Sequence, residues 1–401
     1  MKIGIIGDTH FGAGFALGKT DPNTQLNSRL LDYSRTFDGI IDQFIERDVK
    51  LIAITGDIFE TRHPTSSQLN TFSKCISRAI SNNMKIVIVV GNHDQQRTIS
   101  TTTVDIYNSL QLPDIAVFSD IGVYDFKDEN GKSINFVLMP YRDRRMVGAT
   151  TNAEAVKKLQ ERVQLVSKNL AGSKIAIGHF MLDKAITGQC GETFSMSELV
   201  IPSSMFDGFD VVIMGHVHQH AVLRPENPLV MYVGSMEKIS FGERAHTKVS
   251  VIFDTNNLTK PEIIKTNVRS LFEMDFDYTD GDKFYKHQIT DKIILDIERY
   301  NMKFNLNGAI VKLSAQVKDN DLYHVNHKRI KEYILSKKVK HLGKIEISAI
   351  GTRKLRNKNI TETVGGKKAM ASFINSLSEP DNVKKKLLKQ ATSIIEEIEG
   401  K

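Results

Sequence analysis

The stretch Lys85-Ile-Val-Ile-Val-Val-Gly-Asn-His-Asp94 limits what this chain can become more than any other. An unbroken β-branched run from Ile86 to Val90 reads as a strand buried on both faces. Gly91 lets the backbone turn sharply where the run stops, and an amide, an imidazole and a carboxylate follow at once. A strand covered on both faces belongs in an α/β sheet, where ligands gather at the carboxyl ends of the strands.

The same pattern precedes this stretch twice. Ile3-Gly-Ile-Ile-Gly-Asp8-Thr-His10 and Leu51-Ile-Ala-Ile-Thr-Gly-Asp57 are short apolar runs that end in acids, the first with an imidazole two residues on. Between the runs, Leu30, Phe37, Ile40, Ile41 and Phe44, then Leu69, Phe72, Ile76 and Ile80, recur at helical spacing. Strand, helix, strand, helix, strand calls for right-handed parallel crossovers. Asp8, His10, Asp57, Asn92 and His93 are therefore expected on one rim. Further along, Ser133–Pro140 reads as a strand and Asn152–Leu170 as a helix. Lys174-Ile-Ala-Ile-Gly-His179 and Asp210-Val-Val-Ile-Met-Gly-His216-Val-His218 repeat the apolar run, glycine and histidine. Val230–Gly234 and Lys248–Asp254 read as closing strands, which places the end of this α/β domain, residues 1–257, near Asn257.

Asp8, His10, Asp57, Asn92, His179, His216 and His218 are thus seven nitrogen or oxygen donors at the ends of apolar strands. One such histidine alone is ordinarily a packed residue, and one Gly-Asp a turn. Gathering several imidazoles and two acids without a partner is costly, and a shared dication offsets that cost. Cys75 and Cys190 are the only cysteines, too few for a thiolate site. Two divalent ions can hold a phosphate between them and activate a water, provided a carboxylate bridges them, and Asp57 is the natural choice. Mixed imidazole and carboxylate donors suit manganese, iron or zinc better than magnesium.

Asp8-Thr-His10, Gly56-Asp57, Gly91-Asn-His-Asp94, Gly178-His179 and Gly215-His-Val-His218 stand in the order and approximate spacing of the calcineurin-like metallophosphoesterases, which about the first 250 residues resemble. Gly56-Asp-Ile-Phe59, Met139-Pro-Tyr141 and Ile201–Asp210 are similar to the SbcD-type nucleases of double-strand-break repair and recombination. The resemblance implies a β-sandwich flanked by helices. It implies one ion on Asp8, His10, Asp57 and His218 and a second on Asp57, Asn92, His179 and His216, with manganese expected. It also implies a catalytic role for His93, which binds no metal and stabilises the transition state or protonates the leaving oxygen, with Asp94 expected to orient it. DNA would be the substrate, cut by 3′→5′ exonuclease and single-strand endonuclease activity. A homodimer through helices of the nuclease domain and an SbcC-type ABC ATPase with a coiled coil would be the partners. Some family members carry a histidine three residues after the bridging aspartate. Here Glu60 stands there, with His63 nearby.

At 401 residues the chain has room for further domains. Residues 258–351, with Ile293–Ile297, Ala309–Leu313, a helix over Asn326–Ser336 and Lys344–Ile350, read as a small α+β domain, which the resemblance implies caps the first and helps hold DNA. Residues 352–368 read as a basic linker, and 369–401 as a helical hairpin. The hairpin's apolar stripe either docks on another protein, which the resemblance implies is the ATPase, or folds back on the nuclease domain. The net charge is +7, and Lys328 to Lys368 alone holds thirteen Lys or Arg against three acids. That segment is either a solvated face or a surface for nucleic acid. Arg62, Arg97, Arg142 and Arg144 sit in loops expected beside the rim. No stretch approaches the ~20 apolar residues of a membrane span. With Met1-Lys2-Ile3 running straight into a strand, an intracellular location is expected, cytoplasmic if the chain is prokaryotic or phage-encoded. A small-molecule phosphodiesterase or phosphatase of the same superfamily is the rival reading; it leaves the basic linker and hairpin without a role. A catalytically silent DNA-bridging subunit leaves the donor set without one.

Overall fold

The computed structural model describes residues 1–95, 101–186, 198–279, 288–350, 374 and 381–399. The basic linker expected at 352–368, most of the hairpin's first arm, Arg97 and Cys190 lie outside the described residues. The chain forms two compact units: Met1–Glu273 with Leu306–Val311 and Val339–Gly343, and Met274–Asn305 with Lys312–Lys338 and Lys344–Lys401.

The first unit opens with β1 (Lys2–Ile6), α1 (Ser28–Glu46), β2 (Val49–Ile54), α2 (Ser66–Ser81) and β3 (Lys85–Val89). It continues through α3 (Ile106–Ser109), β4 (Ile115–Phe118), β5 (Gly122–Lys127), β6 (Ser133–Met139), α4 (Asn152–Ser167) and β7 (Ser173–His179). Then come β8 (Met181–Leu182), α5 (Asp183–Ile186), β9 (Val200–Ile201), β10 (Val211–Gly215), β11 (Ala221–Arg224), β12 (Leu229–Tyr232), β13 (Val249–Asp254) and β14 (Asn257–Lys265).

Two six-stranded sheets result, ordered β14-β13-β1-β2-β3-β4 and β11-β12-β10-β7-β6-β5. β1 to β4 run parallel, as do β6, β7, β10 and β12, so the carboxyl ends within each set share an edge. Side chains alternate across each strand. Ile3, Ile5, Leu51, Ala53, Val87 and Val89 face Phe136, Leu138, Ile175, Ile177, Val211 and Ile213 in a dry layer between the sheets. Their neighbours Ile6, Ile52, Ile54, Ile86 and Ile88 pack outward with Phe37, Ile40, Ile41 and Phe44 of α1 and Phe72 and Ile76 of α2. The architecture is the helix-flanked β-sandwich expected from the sequence.

The first unit does not stop at Asn257. Asn257–Lys265 folds back as β14, antiparallel to β13, which itself lies against β1 and not in the second sheet. β14 is an edge strand with alternating exposure, so it carries no continuous apolar run to announce it. In the second unit, Ile293–Ile297 lies inside a helix, α6 (Gln288–Phe304), where Ile289, Ile293 and Ile297 are buried every four residues. A helix α8 (His327–Ser336), after the single turn α7 (Asp319–Leu322), buries Ile330 and Ile334. β15 (Leu271–Asp277), β16 (Ile310–Lys318) and β17 (His341–Ile350) form a sheet in that order. No helix among the described residues is long and apolar enough to cross a membrane.

α2 matters to the site because of one ring. Phe72 is fully buried, with Phe11 at 5.3 Å, Phe59 at 5.5 Å, Tyr107 at 6.1 Å and Phe37 at 6.2 Å. Phe11 follows His10, and Phe59 lies two residues past Asp57, so the ring supports both loops. Phe72→Ala is expected to cost about 3–5 kcal/mol in urea unfolding. A loss below about 1 kcal/mol would mean that the loops stand without it.

Candidate metal centre

The first sheet delivers Asp8 and His10 after β1, Asp57 after β2 and Asn92 after β3. The second delivers His179 as the last residue of β7, and His216 and His218 after β10. Gly215 pairs with His179 in parallel register, so His179 and His216 emerge side by side with ring centroids 5.2 Å apart. Main-chain bonds zip the first two loops together: His10 N donates to Asp57 O at 2.8 Å and Phe11 N to Ile58 O at 2.9 Å.

The glycines before these residues serve close approach as much as turning. A Cβ on Gly91 would lie 2.2 Å from Asp57 N and Oδ1, and one on Gly215 would lie 2.3 Å from Asp8 Oδ1. His10, Asp57 and His216 themselves adopt left-handed backbone, with φ of 43°, 46° and 90°. Such conformations cost on the order of 1–3 kcal/mol each and persist where the surroundings enforce them.

All seven donors converge. Asp57 Oδ2 lies 3.2 Å from His179 Nε2 and 3.5 Å from His10 Nε2. Asn92 Oδ1 lies 2.9 Å from His179 Nε2 and 3.0 Å from His216 Nδ1. Asp8, His10 and His218 bring one donor atom each within 4.8 Å of one another, and so do Asp8, Asp57 and His179. Asp8 is also fixed by its neighbours, accepting from His216 N at 2.7 Å and Thr55 Oγ1 at 3.2 Å.

Each imidazole is held by one nitrogen, which sets the other toward the centre. His10 Nδ1 donates to Glu60 Oε2 at 2.9 Å, His179 Nδ1 to the Thr55 carbonyl at 2.8 Å and His218 Nδ1 to Glu243 Oε1 at 2.9 Å. His216 is held the other way round, its Nε2 donating to Glu198 Oε1. With their Nδ1 atoms committed, His10 and His179 turn Nε2 toward Asp57 Oδ2. His10 Nε2 is buried and has no hydrogen-bond partner among the described residues. A buried orphan of this kind is what a cation would satisfy, and the donor set fits one.

The electrostatics agree. Burial works against charge on His179, but Asp57 and Asp8 outweigh it and raise its pKa to about 10. Burial would likewise raise Asp57, yet His179, His10 and His93 hold it well below the usual carboxylate range. Burial opposes ionised Glu243 as well, but His218 and Lys248 bring it down to about 2. The cluster attracts positive charge into a buried place.

His93 stands beside the donors. Its N–H donates to Asp57 Oδ1 at 2.8 Å, its Nδ1 donates to the Glu60 carbonyl at 2.6 Å, and its ring centroid is 5.0 Å from that of His10. It lines a cavity of about 320 Å³ with Glu60, Thr61, Arg62 and Asn92. The Glu60 carbonyl therefore orients His93, in place of the expected Asp94. Asp94 is buried and accepts from Gly91 N at 3.0 Å, Ile58 N at 2.9 Å and Phe59 N at 3.2 Å, pinning the β3 turn to the loop after β2. Burial and the Asp57 charge raise its pKa to about 6.

Among the loop residues, Arg62 reaches the cavity, whereas Arg142 is tied to Ser119 O, Gln95 Oε1 and Tyr141 O. Arg144 and His63 are exposed. Glu60, Glu198, Glu243 and Thr55 went unmarked as imidazole anchors in the sequence, because none ends an apolar run beside its histidine.

Residues 1–220 match the family described as calcineurin-like phosphoesterase, more than half the chain, and the chain belongs to that family. It is a metal-dependent phosphoesterase with a two-metal site of the kind its superfamily uses. Solved structures that match part of this chain include a Thermus thermophilus protein at 12% identity and a TM-score of 0.41, covering 66% of this chain and 98% of its own. A dimetal phosphatase from Danio rerio matches at 10% identity and 0.37, covering 67% and 99%. A purple acid phosphatase from yellow lupin (Lupinus luteus) seeds matches at 14% and 0.38, covering 66% and 53%.

Proposed function

We propose that this chain hydrolyses phosphodiesters with two manganese ions, and that its substrate is DNA. The observation that carries the phosphodiesterase reading is His93, an imidazole held by Asp57 and the Glu60 carbonyl, outside the ligand set yet touching it. Asp8, His10, Asp57 and His218 would hold one ion, and Asp57, Asn92, His179 and His216 the other. The pair would clamp the phosphate and supply hydroxide at neutral pH. His93 would donate its proton to the departing oxygen, the step that an alkoxide leaving group needs most. Arg62 would meet a phosphate entering the cavity.

DNA as the substrate is supported by the SbcD-like stretches Gly56–Phe59, Met139–Tyr141 and Ile201–Asp210, and by the basic run from Lys328 to Lys368. An SbcC-type ABC ATPase is the proposed partner of the C-terminal hairpin. The helix Asp381–Glu399 leaves Val383 and Leu387 exposed beside Lys384, Lys385 and Lys386. A homodimer is the proposed assembly, with exposed Ile106 and Leu110 in the contact.

A small-molecule phosphodiesterase is the second reading, favoured by the cavity beside His93, whose volume of about 320 Å³ suits a nucleotide-sized ligand. One comparison separates the two. Turnover of end-labelled duplex and circular single-stranded DNA is expected to exceed that of cyclic nucleotides and nucleotide monoesters by at least ~100-fold in kcat/KM, a difference of about 2.7 kcal/mol. The reverse order would assign the chain to small substrates. Removing residues 367–401 should spare basal cleavage and abolish association with the ATPase; retained association would refute the role given to the hairpin.

A further inference from the structure

Of the four ligand histidines, His216 is the one anchored through Nε2, and Glu198 is its anchor. Both side chains are only 16% exposed, so the pair is largely shielded from water. Tyr141 stacks on the same ring, with centroids 6.4 Å apart and planes 29° apart.

Glu198 sits at a particular place in the fold. Two residues on, Val200–Ile201 forms β9, paired in parallel with Met181–Leu182 of β8. β8 begins two residues after His179. Buried Tyr232 staples this departure, its hydroxyl donating to Phe180 O at 3.0 Å and accepting from Leu182 N at 2.7 Å. Ser203 N donates to Asp183 Oδ1 at 3.0 Å on the far side. The small β8-β9 sheet is thus tied to His179 through the chain and to His216 through Glu198. These two histidines are the imidazoles assigned to the second ion.

We propose that Glu198 is a positioning residue for the second ion. It turns His216 Nδ1 toward Asn92 and makes that ion's retention depend on the β8-β9 pair. The inference rests on the two-metal reading and goes further, because it separates the two ions. The first ion's imidazoles, His10 and His218, have their own anchors in Glu60 and Glu243 and do not need the small sheet. A carboxylate bonded to the outer nitrogen of a ligating imidazole fixes its aim and raises its basicity, and its loss typically weakens metal binding by ~10–100-fold.

The test uses the full-length protein and Mn²⁺ alone, followed by calorimetry and electron paramagnetic resonance. The wild type should bind two ions and show a spin-coupled pair. In Glu198→Ala one of the two ions should lose ~10–100-fold in affinity while the other is unchanged. Its spectrum should be that of a single ion at Mn²⁺ concentrations that pair the wild type. Glu198→Gln keeps an oxygen acceptor without the charge and should fall between, with phosphodiester turnover in both variants restored by excess Mn²⁺. Wild-type affinity for both ions in the two variants overturns the proposal, and so does equal weakening of both ions. A wild type that binds fewer than two ions overturns the two-metal reading, and this inference with it.

Discussion

Asp57→Asn is expected to lower kcat/KM by at least ~1,000-fold, or about 4 kcal/mol, and to strip the protein of one or both ions. Asp57 faces donors assigned to both ions: Oδ2 faces His10 Nε2 and His179 Nε2, while Oδ1 accepts from His93 N. The asparagine keeps one oxygen for His93 but removes the negative charge that raises the His179 pKa. Losing that buried charge partner leaves the metal-free variant without its main electrostatic stabilisation at the centre, so it should melt below the metal-free wild type. Metal analysis and thermal melting in chelator test both halves. Two tightly held ions, or near-normal turnover, would remove Asp57 from its bridging position.

His93→Gln comes next in size, with kcat expected to fall by ~100- to 10,000-fold while metal content and KM stay close to wild type. With Nδ1 bonded to the Glu60 carbonyl, Nε2 is the nitrogen left for substrate. Glutamine is near in length and carries no titratable proton. The deficit should therefore depend on the leaving group. Against a nitrophenyl diester, whose product needs no proton, the variant should recover most of its rate; against DNA or an alkyl diester it should not. An equal loss on both would assign His93 to stabilising charge on the phosphate, and no loss would remove it from the chemistry.

The rim could be read from the order of residues because two signals coincide at each strand: an apolar run that marks the strand, and a glycine followed by a donor. Local periodicity likewise announced α1, α2 and α4. What stayed hidden depends on partners distant in the chain or on backbone geometry. β14 is half exposed and holds Lys260, Pro261 and Glu262, so nothing local separates it from a linker until β13 is beside it. Ile293–Ile297 is too short to show its period without Ile289. Glu198 and Glu243 reach histidines 18 and 25 positions away, and no spacing rule links such pairs. Asp94 lies next to His93 in sequence yet turns to three main-chain amides, because the tight turn leaves those amides unpaired within reach.

The donors are divided between two sheets, four residues from one and three from the other, across a seam of interlocked aliphatic side chains. Shear along that seam would pull each half of the coordination set away from its complement, so the completeness of the site depends on the aliphatic layer that keeps the two sheets in register.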